Sequence, residues 1–312
     1  MIDGVSVIIP NWNGKQHLSR CLDSLMAQTV KPEEVIVVDD ASTDDSLPLL
    51  QRSYPWVRTI ALTKNRGFTA AVNAGVAASH GRVVALLNND TELHPNWLAK
   101  LLEALSSDAS VGSVASKMVR FTERSMLDGA GDLLSRGVSP YTRGFGEPDD
   151  GRYAGREYIF GACAGAALYR REVFERVGGM DEDFVAYYDD VDLAFRAQLA
   201  GFRCLYEPGA ICYHKRGATS GSDAIQLQER NLTALLVKDL PGPLFVRLLP
   251  AVIVSRVRRL YRLMRAGAGR PALRGFVEGF GLLPRMLAKR RQVQRLRQVP
   301  LSYLRSLMGE KA

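Results

Sequence analysis

Three short β-branched runs in the N-terminal part of the chain each stop at a polar cluster. Val5–Ile9 ends in Pro10-Asn11, Val35–Val38 ends in Asp39-Asp40, and Val83–Leu87 ends in Asn88-Asn89-Asp90. Between them lie patterns of helical period, such as 15–28, where Leu18, Leu22 and Leu25 share a face. This alternation is that of βαβ units around a parallel sheet, so an α/β fold is expected. Strands are predicted at 5–9, 35–38, 57–62, 83–87 and 111–115, and helices at about 15–28, 44–52, 68–79 and 95–106. In open α/β sheets ligands bind beyond the carboxyl ends of the strands. Three strands that bring polar groups to that edge predict one site, with Asp90 well sited to hold a divalent metal against a diphosphate.

The first strand is not followed by Gly-x-Gly-x-x-Gly, which argues against a nicotinamide or flavin enzyme. Residues 121–158, rich in Gly, Pro, Asp and Arg, read as a long loop or hairpin excursion. The small residues Gly161 to Ala167 permit close approach of a helix or a ligand, or serve tight packing alone. Cys21, Cys163, Cys204 and Cys212 show neither paired metal spacing nor the density of a disulfide scaffold, and Cys212 with His214 alone is a weak zinc signal. Reduced thiols in a cytoplasmic protein are expected. No signal peptide is evident, and no run approaches the ~20 apolar residues that span a bilayer.

A second acidic cluster occurs at Tyr187-Tyr188-Asp189-Asp190-Val191-Asp192. Val191, Ala194, Phe195 and Leu199 follow helical spacing, which puts Asp189 and Asp190 at a helix start where the dipole favours carboxylates. One Asp suffices for a cap; three carboxylates in four residues exceed that need, and a general base is the functional reading beside a structural charge network. His214 follows the apolar run Ala210–Tyr213 and is a second metal ligand in prospect.

Taken in order, these segments resemble the inverting glycosyltransferase family 2 enzymes, which have a GT-A fold. The matching stretches are Val7–Gly14, Val37–Asp44, Asn65-Arg66-Gly67-Phe68 running on to Asn73-Ala74-Gly75, Leu87–Asp90, and Tyr188–Leu193, with Arg196 and His214 after them. The branch with Asn-Asn-Asp is similar to bacterial rhamnosyltransferases. The resemblance implies a mostly parallel, Rossmann-like sheet flanked by helices in residues 1–240, with the nucleotide-sugar half at about 1–120 and the acceptor half at about 155–225. It implies that Pro10, Asn13 and Asp39 line the nucleoside pocket with Asp40, Asn65 and Arg66 nearby, and that Asp90 binds Mg²⁺ or Mn²⁺ and the diphosphate, helped by His214. It implies Asp190 as the base with Asp189 as rival, and Asp192 and Arg196 on the acceptor side. Two departures from the family pattern stand out: Asn88 replaces the first acid of Asp-x-Asp, and Asp189 replaces Glu in the Glu-Asp pair. The implied reaction moves one sugar, with deoxythymidine-diphosphate-rhamnose the leading donor and UDP-sugars open, to a glycan or polyprenyl-linked acceptor in cell-surface polysaccharide synthesis. A processive synthase would carry Gln-x-x-Arg-Trp, whereas the tryptophans here are Trp12, Trp56 and Trp97.

The net charge of +8 is unevenly placed. Residues 241–312 hold 16 Lys/Arg and 2 Asp/Glu, leaving 25 against 31 for the rest. The tail mixes Leu, Val and Phe with Arg256, Arg258, Arg259, Arg262 and Arg265, then Lys289 to Arg291, Arg295 and Arg297. A basic amphipathic extension fits an anionic membrane surface, which predicts a peripheral protein at the inner face of the plasma membrane. Helices packing back on the catalytic domain are the competing expectation; nucleic acid ranks lower because no motif for it is present. A nucleotidyltransferase would share the sheet but needs a Gly-rich, basic loop where Asn11-Trp12-Asn13-Gly14 stands. A non-catalytic scaffold would have no use for both acidic clusters.

Overall fold

The computed structural model describes residues 4–215 and 224–309. Residues 216–223, inside the expected acceptor half, lie outside the described residues. The N-terminal part runs β1 (Val5–Asn11), α1 (Lys15–Met26), β2 (Glu34–Asp39), α2 (Ser46–Ser53), β3 (Arg58–Ala61), α3 (Phe68–Ala78), β4 (Val83–Leu87), β5 (Thr91–Leu93), α4 (Trp97–Ser106) and β6 (Val111–Arg120). Every strand and helix expected there is present. Strands β1, β2, β4 and β6 are buried on both sides, while β3 forms the more exposed edge, and the buried side chains alternate between two cores. Val5, Val7, Ile9, Val35, Val37, Ala85 and Leu87 pack with Leu18, Leu22 and Leu25 of α1 and Trp97 and Leu101 of α4. Ile8, Ile36, Val38, Val84 and Leu86 pack on the other face with Ala71, Val72 and Val76 of α3. That alternation is the period of two that a strand imposes.

The excursion at 121–158 is built of short paired strands: β7 (Leu127–Gly129), β8 (Asp132–Ser135), β9 (Pro140–Thr142) and β10 (Glu157–Ile159). Then come β11 (Ala166–Arg170), α5 (Arg171–Val177), α6 (Asp189–Leu199) and β12 (Arg203–His214). The main sheet has the order β10-β12-β6-β11-β4-β1-β2-β3. Strands β4, β1, β2 and β3 run parallel, as do β6 and β12, while β11 lies antiparallel between β4 and β6. The small residues after Gly161 lead into β11, and a Cβ on Gly161 would come within 2.7 Å of Ala194 Cβ in α6. Close approach of a helix is what they serve.

The C-terminal part continues as α7 (Ala224–Lys238), α8 (Gly242–Arg265), α9 (Gly269–Gly281), α10 (Leu283–Arg295), α11 (Leu301–Ser306) and β13 (Met308–Gly309). Leu244, Val252, Met286, Val293 and Leu304 of this region join one core with Phe184 and with Val191, Phe195 and Leu199 of α6. β13 pairs with β8, so Met308 and Gly309 return to the body. Lys289 of α10 binds Asp181 and, at 2.8 Å, Asp183. No helix among the described residues is long and apolar enough to cross a membrane.

Candidate active site

The carboxyl ends of β1, β2 and β4 meet as expected. Asn11 and Asp39 are register neighbours, and Asn11 Nδ2 donates to Asp39 Oδ2 at 2.9 Å. Asn89 Nδ2 donates to Asn11 Oδ1 at 2.7 Å, tying the end of β4 to that of β1. The loop after β1 passes so close that a Cβ on Gly14 would lie 2.1 Å from Asn89 Nδ2. Asp39 Oδ1 accepts from the Ser42 backbone N–H at 2.9 Å, and Asn13 Oδ1 accepts from the Thr43 N–H at 2.7 Å. Asn13 and Asp39 therefore shape one polar floor from two loops. Asp40 accepts the N–H groups of Arg66 and Gly67, each at 2.8 Å, and Gly67 takes the left-handed φ of +88° that this turn needs. Pro10, next to last in β1, is half-buried beside this floor, and Asn65 is exposed in the loop before α3. The Arg66 side chain extends to Glu182 at 2.7 Å.

Asp90 is buried next to His214, with Oδ1 at 3.3 Å from Nε2. The long strand β12 delivers His214 there, pairing it with Thr91 of β5. On its other side His214 Nδ1 meets Asp128 Oδ2 at 2.7 Å. Burial would lower the imidazole pKa, but the hydrogen bonds to Asp128 and Asp90 outweigh it and hold it up at about 9. The donor set would suit a divalent cation: a carboxylate and an imidazole nitrogen facing each other, with the ring fixed by a second carboxylate. Asp128 lies in the stretch read from sequence as an excursion. The signal was Asp128-Gly129-Ala130-Gly131-Asp132, two acids around small residues at a turn.

Asp190 starts α6. Its Oδ2 accepts from the Ala164 N–H at 3.3 Å and its Oδ1 from the Val191 N–H at 2.9 Å. Burial raises its pKa against the pull of those N–H groups. Asp189 is more deeply buried, its Oδ2 lacks a hydrogen-bond partner, and burial plus the neighbouring Asp190 charge push its pKa well up. Burial disfavours ionising both adjacent carboxyls, and the N–H donors at Ala164 and Val191 favour the charged form of Asp190 over that of Asp189. Ligand atoms of Asp132, Cys163 and Asp190 lie within 4.8 Å of one another. Burial raises the Cys163 thiol well above its usual value, so the trio holds a proton rather than offering a thiolate.

Cys163 links the two acidic centres: it lies with Asp190 in the trio above and shares a small cavity with Asp128 and His214. That cavity, of about 50 Å³, is lined by Asp128, His214, Cys163, Gly131 and Thr142, while Asp90 and Asp190 lie off its wall. The segment 163–165 joins them directly: Ala164 donates to Asp190, and Gly165 O accepts from the Asn88 N–H at 2.9 Å. Asp192 and Arg196 are a correction to the acceptor-side expectation. Both are buried; Arg196 Nη2 donates to Asp192 at 2.7 Å and its Nη1 to Val177 O at 2.7 Å, while Lys238 binds the other Asp192 oxygen. Arg196 and Lys238 hold the Asp192 pKa well down although its burial opposes this. The pair braces α6 and has no surface to offer an acceptor.

Residues 6–178 match the glycosyl transferase family 2 model, and the chain belongs to that family. It is a glycosyltransferase. The N-acetylglucosaminyl-diphospho-decaprenol L-rhamnosyltransferase of Mycobacterium tuberculosis is 30% identical over 251 residues, 72% of this chain and 80% of that protein. An uncharacterized protein of Sinorhizobium fredii is 29% identical over 237 residues, and there the match spans 70% of this chain but 25% of the relative's length. In fold, the chain is similar to the mannosyltransferase PcManGT from Pyrobaculum calidifontis, solved with GDP-Man and Mn²⁺, at a TM-score of 0.58 and 20% identity over 94% of this chain and 85% of that one. The architecture is GT-A.

Proposed function

We propose that this chain transfers one sugar, with inversion, from a nucleotide sugar to a hydroxyl of a glycan or glycolipid in cell-surface polysaccharide synthesis. The observation that carries this reading is the link between the two acidic clusters: His214 contacts Asp90 and shares a cavity with Cys163, and the segment 163–165 hydrogen-bonds both Asp190 and Asn88. Asn13 and Asp39 hold the nucleoside on the floor between β1 and β2, with Pro10, Asp40, Asn65 and Arg66 around it. Asp90 and Nε2 of His214 would hold Mg²⁺ or Mn²⁺, which supplies charge neutralisation for the departing diphosphate. Asp190 takes the proton of the acceptor hydroxyl as it attacks the anomeric carbon from the opposite face, a contribution of about 10²–10⁴-fold. Asp189, held neutral, keeps that charge on Asp190.

Deoxythymidine-diphosphate-rhamnose is the favoured donor, its sugar supported by the name of the mycobacterial relative, and a polyprenyl-diphosphate-linked glycan is the favoured acceptor on the same name. An acceptor of that kind places the enzyme at the cytoplasmic face of the membrane, with the basic C-terminal region toward anionic lipid. Family membership leaves the nucleotidyltransferase and scaffold readings without support. A panel of nucleotide sugars tested for thermal stabilisation and hydrolysis, with and without Mn²⁺, checks the reading. Metal-dependent stabilisation is expected, strongest with the deoxythymidine donor; no response to any sugar nucleotide would overturn it.

A further inference from the structure

Among the described residues, large exposed apolar side chains are unevenly distributed. Six are scattered over the first 160 residues, and eleven fall between Val246 and Leu287. On α8 they form a stripe: Val246, Ile253, Val257, Tyr261 and Met264 are 72%, 54%, 62%, 59% and 60% exposed. Their spacings of seven, four, four and three keep them on one face at 100° per residue. The opposite side of α8 is occupied: Val252 is buried, and Arg256 and Arg259 bind Glu229 of α7. α9 repeats the arrangement. Ala272, Gly275 and Gly279 are buried, the two glycines against α7, while Leu273, Val277 and Phe280 face out.

The flank of the α8 stripe is cationic. Arg247, Arg258, Arg262 and Arg265 are exposed and lie about a third of a turn from the apolar line. None has a carboxylate partner among the described residues, and the sequence holds no Asp or Glu between Asp239 and Glu278. A helix with one face docked on the body, one uncovered apolar face and a free arginine edge matches the charge and polarity profile of an anionic lipid interface. Arginine stems can lie along the acyl boundary while the guanidinium groups reach phosphate. A second copy of this chain would set arginine against arginine, and a nucleic acid would leave the Val/Ile/Met stripe uncovered.

We propose that the outer face of α8, continued by that of α9, is a docking surface that lies in the plane of an anionic bilayer with Ile253, Val257 and Tyr261 inserted below the phosphates. This deepens the membrane-side reading above and rests on it for its biological sense, while the sugar-transfer chemistry does not depend on it. The test is co-flotation of the full chain with vesicles of phosphatidylcholine alone or mixed with phosphatidylglycerol. Wild type should float with the mixed vesicles and not with the neutral ones. The double variant Ile253→Asp/Val257→Asp and the pair Arg258→Gln/Arg262→Gln should each lose about tenfold in partitioning at unchanged melting temperature. Absence of flotation by wild type, or flotation of both variants like wild type, overturns the proposal. So does a wild-type dimer that the Asp variant breaks while vesicle binding is absent. Sugar transfer to a short soluble acceptor, measured on the same samples, should be equal in all three proteins; its absence in wild type would count against the transferase reading instead.

Discussion

His214 Nδ1 and Asp128 Oδ2 lie 2.7 Å apart, and that contact decides which ring nitrogen faces Asp90. A histidine that binds metal through one nitrogen is commonly oriented by a carboxylate on the other, and loss of such a partner typically costs 10–100-fold in metal affinity. Asp128→Ala should therefore weaken Mn²⁺ binding, measured by calorimetry in the presence of the nucleoside diphosphate, by about 10–100-fold. Asp90→Ala should abolish the metal dependence of nucleotide binding outright. Parent-like Mn²⁺ titrations of both variants would remove the Asp90–His214 pair from the metal site.

The same contact sets a pH dependence. The His214 pKa is raised from 6.5 to about 9 in the folded chain, so its charged form stabilises the fold. That contribution is fully present below about pH 6.5 and is lost as the pH rises through about 9. A shift of that size corresponds to at most about 3 kcal/mol. Metal-free protein should show a falling melting temperature across this window. Mn²⁺, which competes with the proton on Nε2, should bind more tightly over the same range. A flat melting profile in His214→Gln and a sloping one in the parent would assign the effect to this residue.

Asp190→Asn should keep donor binding and lose at least about 10²-fold in kcat. Asp189→Asn should lose less than about tenfold, because an amide closely replaces a carboxyl that is already neutral. Single-turnover rates of the two variants separate the roles. If the larger loss falls on Asp189, the base assignment must be exchanged.

Asp192→Ala should act on stability rather than on a single kinetic constant. It leaves Arg196 and Lys238 buried without their shared carboxylate, and breaking such a pair costs about 3–5 kcal/mol. Denaturant titration followed by fluorescence measures this. A variant that melts like the parent but loses acceptor affinity would restore Asp192 to the acceptor side.

The first 120 residues were legible because strand and helix periods there are clean and each crossover is short. Asn11, Asp39 and Asp90 could be placed at one edge from topology alone. Three things were not legible. Asp128 and Asp132 lie in strands of three or four residues, too short for a period to register. Asp192 and Arg196 look, in sequence, like further members of an acidic site; only packing shows that Lys238, from a helix forty residues on, completes a buried charge network with them. For the C-terminal region the sequence allows a basic amphipathic helix on an anionic membrane or helices packed back on the catalytic domain, and the structure shows the packing. One face of α8 and α10 closes the core around Phe195, and another face of α8 remains uncovered.

The stretch Cys163–Gly165 fixes the spacing of the two acidic clusters through main chain. Gly165 O holds the Asn88 N–H just beyond β4, and the adjacent Ala164 N–H holds Asp190 in the first turn of α6. Neighbouring residues lie about 3.8 Å apart across a peptide bond, so this separation is set by backbone geometry with no long side chain to adjust it.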